Sequence, residues 1–168
     1  MCFLQYWYEQ KQPQRKNFIS RHLSYHGNTV TTLSLSGHPA RRAQYDEILQ
    51  HENFHKVSPA YARRFQHPEE TEEQYVERLR QELEDKFLEL GPDTVIGCKF
   101  AHSFDGLIAE RRCSYKVVAE TVVGATTGAL AAPKGYFKAM KSVCRKYGAL
   151  FILDEVMSGM GRESPGPP

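Results

Sequence analysis

The stretch Ala149-Leu150-Phe151-Ile152-Leu153-Asp154-Glu155-Val156-Met157-Ser158-Gly159-Met160-Gly161-Arg162 decides the fold. An apolar run ends in two adjacent carboxylates, and a glycine-spaced turn follows. Buried strands of parallel sheets read this way, because both of their faces are covered. In open α/β sheets, ligands bind just outside the carboxyl ends of the strands. Asp154 therefore stands where chemistry is expected.

Upstream of this strand, Pro133 opens a helical pattern. Tyr136 or Phe137, Met140, Val143 or Cys144, and Tyr147 recur on one face. Lys141, Arg145 and Lys146 suit the negative end of that helix's dipole, and Gly148 stops it. Helix, one-residue turn and buried strand in succession are the grammar of a doubly wound α/β sheet. The spacing predicts a second helix over Glu69 to Leu90, with Tyr75, Leu79, Leu83 and Phe87 in one stripe and Gly91-Pro92 as its stop. Asn17 to Ser20 and Thr94 to Gly97 read as strands. Phe3 to Gln10 reads as the end of a helix, and Asn28 as the N-cap of a helix over Thr29 to Leu35. Gly37 to Pro68 carries little pattern beyond helical hints at Tyr45 to Gln50.

The 168 residues suffice for one domain with a real core. A hydrophobic share of 40% with 25% charged residues is that of a soluble globular chain. A net charge of +2, evenly spread, argues against nucleic acid as partner. No apolar run reaches the length of a membrane span, and the first residues lack a secretion signal. The expected compartment is cytoplasmic, with the mitochondrial matrix left open. Cys2, Cys98, Cys113 and Cys144 share no zinc-like spacing and are expected to be free thiols.

Two motifs invite misreading. His51-Glu52-Asn53-Phe54-His55 satisfies the H-E-x-x-H pattern of zinc proteases. That pattern needs a long helix, and Val57-Ser58-Pro59 ends any helix one turn later. The strand ending in Asp154-Glu155 also suits a magnesium-binding acid of an ATPase, but the phosphate loop that must accompany it is missing from the sequence.

Three pieces in order carry more weight. These are Ser24-Tyr25-His26-Gly27-Asn28-Thr29, the acidic strand end at Glu120, and Leu153 to Arg162. Together they resemble the class III, or omega-type, aminotransferases, which use pyridoxal 5'-phosphate. The resemblance implies an α/β fold: part of the large domain of a fold-type I pyridoxal enzyme over residues 1–162, followed by an irregular tail at 163–168. It implies a mostly parallel sheet with flanking helices, homodimers with shared sites, and transfer of an amino group from an amine or amino acid to a keto acid. Tyr25, His26, Gly27, Glu120, Asp154 and Met157 are its implied cofactor-binding residues, and it implies no metal. Asp154 takes the place that faces the pyridine nitrogen. A carboxylate there favours the protonated ring, typically by about 1–3 pKa units. Tyr25 matches the stacking position, with His26 expected to line the same pocket, and Gly27 lets the backbone approach.

The sequence also departs from the family. Thr121 stands where the Ala-Glu-Pro motif has proline. Residues 98–116 match nothing and interrupt a strand that should run from Val95-Ile96-Gly97 into Val118-Ala119-Glu120; they read as translated non-coding sequence or a gene-model error. The family's phosphate-binding turn and its Schiff-base lysine have no counterpart. Lys134, Lys138, Lys141 and Lys146 all precede the Asp154 strand. The expectation is a truncated copy that does not transaminate alone, or a non-catalytic fragment acting through a dimer face.

Overall fold

The computed structural model describes residues 2–98, 118–120, 122–123 and 130–154. In chain order, α1 spans Cys2–Glu9, β1 Phe18–Arg21, α2 Val30–Leu35, α3 Pro39–Arg42, β2 Phe54–Val57, α4 Ala62–Phe65, α5 Glu72–Leu90, β3 Gly97–Cys98, β4 Val118–Glu120, β5 Val122–Val123, β6 Leu130–Ala131, α6 Tyr136–Lys146 and β7 Leu150–Asp154. Single 3-10 turns lie at Asp46–Ile48 and Pro92–Thr94. The tail at 163–168 lies outside the described residues.

The sheet is parallel apart from one short hairpin. β1 pairs with β2, and β7 pairs with both β3 and β4, all parallel. A parallel bridge between Asn17 and Val95 joins the two groups at the root of β1 and β3. β5 and β6 pair antiparallel. Parallel neighbours need long crossovers, and helices supply them here: α2 and α3 between β1 and β2, and α6 between β4 and β7.

The register along β7 resolves the interrupted strand. Gly97 and Cys98 pair with Leu150 and Phe151, while Val118, Ala119 and Glu120 pair with Ile152, Leu153 and Asp154. Successive residues of β7 thus meet Cys98 and then Val118. β3 and β4 are two halves of one strand, laid end to end without losing a step. Residues 99–117 lie outside the described residues.

α5 forms where its stripe predicts. Tyr75, Leu83 and Phe87 are fully buried, and Leu79 is nearly so. Each such side chain contributes about 1.5–3 kcal/mol through burial. The helix starts later than the stripe suggested because Thr71 caps it: Thr71 and Gln74 form a reciprocal capping box. Gly91, at φ +83°, ends it.

α6 packs on α5 and buries Tyr136, Met140, Val143 and Cys144. It opens at Tyr136 rather than at Pro133, because Gly135 takes up the left-handed conformation of the cap. Glu84 of α5 accepts hydrogen bonds from Lys146 and from the Tyr147 hydroxyl at the far end of α6. Phe87 stacks on Tyr147 with centroids 5.4 Å apart. Gly148, at φ +62°, then turns the chain into β7. The strand that carries Asp154 is therefore anchored at its entry by α5.

The N-terminal helix is tied to the same sheet. Trp7 Nε1 donates to Ile96 O at 3.1 Å, and the Arg15 guanidinium lies over the Trp7 ring while donating to Val95 O at 2.7 Å. His51 to His55 do not form a helix. Phe54 to Val57 are β2, with His55 directed at Asn17 and His51 at Asp46, so the two imidazoles do not share a helical face.

Candidate functional site

Asp154 is the last residue of β7 and is 8% exposed. Glu120, the last residue of β4, is its register partner, so two acidic positions end neighbouring strands at one level. Parallel strands bring their carboxyl ends to the same edge, which is where this edge becomes a site.

The Asp154 carboxylate meets His26. Nδ1 of the imidazole lies 3.0 Å from Oδ2, and the His26 side chain is fully buried. Against an ionised carboxylate, which only accepts hydrogen bonds, Nδ1 is the donor of this pair. His26 Nε2 is buried with no hydrogen-bond partner among the described residues. The sequence marked His26 as a pocket neighbour of Tyr25; its contact with Asp154 could not be read from spacing.

The loop that delivers His26 is built by local rules. β1 ends at Arg21, and Ser24 Oγ donates to Arg21 O at 2.7 Å, closing a tight turn. Gly27 follows at φ +120°, a conformation open to glycine, and a Cβ there would stand 2.9 Å from Thr32 Oγ1. α2 starts at Val30. Its cap is Thr29 rather than Asn28: Thr29 and Thr32 form a capping box, in which the Thr29 hydroxyl accepts from Thr32 N.

Tyr25 faces a cleft of about 620 Å³, lined also by Asn28, Leu33, Arg41, Tyr45 and Leu49. The Arg41 guanidinium lies 4.9 Å from the centre of the Tyr25 ring. Neither His26 nor Asp154 lines this cleft, so consecutive residues of one loop serve different surroundings. Met157 lies outside the described residues, and of Glu120 only the backbone is described. Among the described residues, no three His, Cys, Asp or Glu side chains gather as a metal ion would require. No helix among them is long and apolar enough to cross a membrane.

The environment around the loop is cationic. Burial, then the charges of Lys56 and Arg42, hold the His22 imidazole below its ordinary pKa. Lys56 Nζ donates to Ser20 Oγ, Ser34 O and Leu35 O at 2.8–3.0 Å. These residues were not singled out in the sequence; a lysine alternating within Phe54-His55-Lys56-Val57 was the available signal.

Comparison with known proteins gives one picture. Residues 111–164 match the family model described as aminotransferase class-III. An aminotransferase of Gibberella zeae is 49% identical over 152 residues, which is 90% of this chain and 26% of that protein. A probable gamma-aminobutyrate transaminase 4 of Oryza sativa subsp. japonica is 38% identical, over 90% of this chain and 27% of its own length. Among solved structures, an omega transaminase from Pseudomonas jessenii in complex with PMP is similar with a TM-score of 0.79. It is 33% identical, over 95% of this chain and 30% of its own. The chain thus spans between a quarter and a third of the length of the proteins it matches.

Proposed function

This chain belongs to the class III aminotransferases, and on that footing we propose that it carries the ring-binding part of a pyridoxal 5'-phosphate site. The whole protein's activity would be transfer of an amino group from an amine or amino acid to a keto acid. The observation that carries the proposal is Asp154: a buried carboxylate at the carboxyl end of a parallel strand, held by a buried histidine.

The bound cofactor supplies an electron sink, deepest when its pyridine nitrogen is protonated. The donor set fits that group. In this reading Asp154 accepts the proton-bearing ring nitrogen, and His26 keeps the carboxylate aimed. Tyr25, whose ring meets Arg41 in a cleft that Asp154 does not line, is assigned to the ring face by resemblance alone; Gly27 allows the backbone to come close, and the backbone of Glu120 ends the neighbouring strand at the same level. Met157 follows Asp154 in the family motif and is assigned by resemblance alone. The lysine that family members use to bind the cofactor covalently has no match in this chain, so amino transfer is assigned to a longer protein, and these residues alone are proposed not to transaminate. The same reading makes that protein a homodimer of an aqueous compartment, cytoplasmic or mitochondrial. Exposed Val30, Tyr45 and Ile48 near the Tyr25 cleft suit a second copy.

Pyridoxamine phosphate tests the assignment, because it binds without a covalent lysine. Titration of the chain, followed by ring fluorescence, should saturate. An analogue with carbon in place of the ring nitrogen should bind about 10–100-fold more weakly, the worth of one charge-assisted hydrogen bond. Equal binding of the two would remove Asp154 from its role.

A further inference from the structure

We infer that Ser36 is a positioning residue for the His26–Asp154 pair, held in place by Lys56 and Arg42 at the end of α2. Its purpose rests on the cofactor reading above; its geometry does not.

Ser36 is fully buried. Its hydroxyl donates to Thr32 O at 2.8 Å, and the backbone N–H of His26 donates to the Ser36 hydroxyl oxygen at 2.8 Å. With its only proton committed to Thr32, the hydroxyl must turn a lone pair toward His26. The direction of the bond is therefore set by the helix end. On the next residue, Gly37 N–H donates to Ser24 O at 2.9 Å, and Leu23 N–H donates to Gly37 O at 3.1 Å. A Cβ at Gly37 would stand 2.3 Å from Arg21 O. Ser36 and Gly37 together clasp the loop from Leu23 to His26.

The clasp needs a firm base, and a six-residue helix does not provide one alone. The last carbonyls of any helix lack partners within it. Here two cations take them. Arg42 Nη1 donates to Ser34 O and Ser36 O at 3.0 and 2.8 Å. Lys56 Nζ donates to Ser34 O and Leu35 O, and to Ser20 Oγ on the neighbouring strand, where Ser20 and Lys56 are register partners. The end of α2 is thus bolted to the β1–β2 pair, which the Asn17–Val95 bridge joins to the strands that deliver Asp154. An error at Ser36 passes through the His26 N–H and three covalent bonds to the imidazole, and from there to the carboxylate.

The test is NMR of the full chain, reading solvent exchange of the His26 Nδ1 proton in Ser36→Ala, Ser36→Thr and Lys56→Met, with urea unfolding in parallel. Ser36→Ala should speed exchange about tenfold or more, Ser36→Thr should restore it, and Lys56→Met should fall between them. Exchange unchanged in Ser36→Ala while stability drops would reduce Ser36 to an ordinary helix end and overturn the inference. Should Ser36→Ala fail to fold, unchanged exchange in Lys56→Met would overturn it equally. Titration of the parent chain with pyridoxamine phosphate separates the two readings. No binding with a responsive His26 sinks the cofactor site and leaves Ser36 standing; binding with an unresponsive His26 does the reverse.

Discussion

His26 Nδ1 lies 3.0 Å from Asp154 Oδ2, although 128 positions separate the two residues. Both are buried, so each satisfies the other in a place where water cannot. Removing one partner leaves a buried polar group exposed to the full desolvation cost, about 1–3 kcal/mol and more for a charge. His26→Phe should therefore destabilise the chain more than Asp154→Asn, which keeps a hydrogen-bond acceptor for Nδ1. Asp154→Asn should instead be the variant that abolishes discrimination between pyridoxamine phosphate and its carbon-ring analogue. Urea unfolding and ring fluorescence read the two effects separately. A loss of discrimination in both variants alike would assign the effect to packing.

Glu84 sets a second prediction. Hydrogen bonds from Lys146, Arg80 and Tyr147 hold its carboxyl down to about 2, against an ordinary 4.5. Because the folded value lies below the unfolded one, the stabilisation is complete above about 4.5 and disappears as pH falls toward about 2. Glu84→Gln should remove that contribution, so its stability should fall less steeply than the parent's across that window. Circular dichroism along an acid titration reads the difference. Parallel acid limbs would show that Glu84 does not couple α5 to α6.

The elements that were legible in the sequence are those whose signal is periodic. The stripe of Tyr75, Leu79, Leu83 and Phe87 predicts α5 because a spacing of four keeps residues on one helical face. The Ala149 to Asp154 run predicts β7 because few other structures bury such a segment and then release an acid. Boundaries were less legible. Thr29 and Gly135 set their helix starts through a side-chain bond and a backbone angle, neither of which leaves a periodic trace. β2 was missed because His55 and Lys56 look like surface residues; Lys56 is accommodated by three hydrogen bonds to the end of α2 and to β1. The family motif pointed to Tyr25, His26 and Asp154, but the contact between the last two, and the role of Ser36 beneath them, arise only from tertiary structure.

Gly27 and Gly37 should respond differently to substitution. At Gly27 the obstacle is conformational as well as steric: φ is +120°, and a new methyl would press on Thr32 Oγ1. Thr32→Ala clears the space without relieving the angle, so Gly27→Ala should stay destabilised by about 1 kcal/mol or more even in that background. At Gly37 the obstacle is the Arg21 carbonyl, backbone that cannot rotate away. Gly37→Ala should therefore displace the loop and accelerate exchange of the His26 Nδ1 proton, whereas Gly27→Ala in the Thr32→Ala background should not. Urea unfolding together with the NMR readout checks both.

Residues 99–117 provide the last prediction. Cys98 pairs with Phe151 and Val118 with Ile152, so β7 sees one uninterrupted neighbour. Splitting a strand at such a point adds nothing to the ladder and leaves a connection whose ends must be held together. Closing a connection of that length costs about 2–3 kcal/mol in chain entropy. A variant that joins Cys98 directly to Val118 should therefore keep the same register and gain stability of that order. Urea midpoints measure the gain, and amide exchange at Phe151 and Ile152 reports whether the ladder persists. The transcript offers an independent check, because sequence that is translated by error should be absent from the mature RNA. Loss of stability on deletion, with faithful RNA across these codons, would mean that the segment belongs to the working protein and that the strand is divided by design.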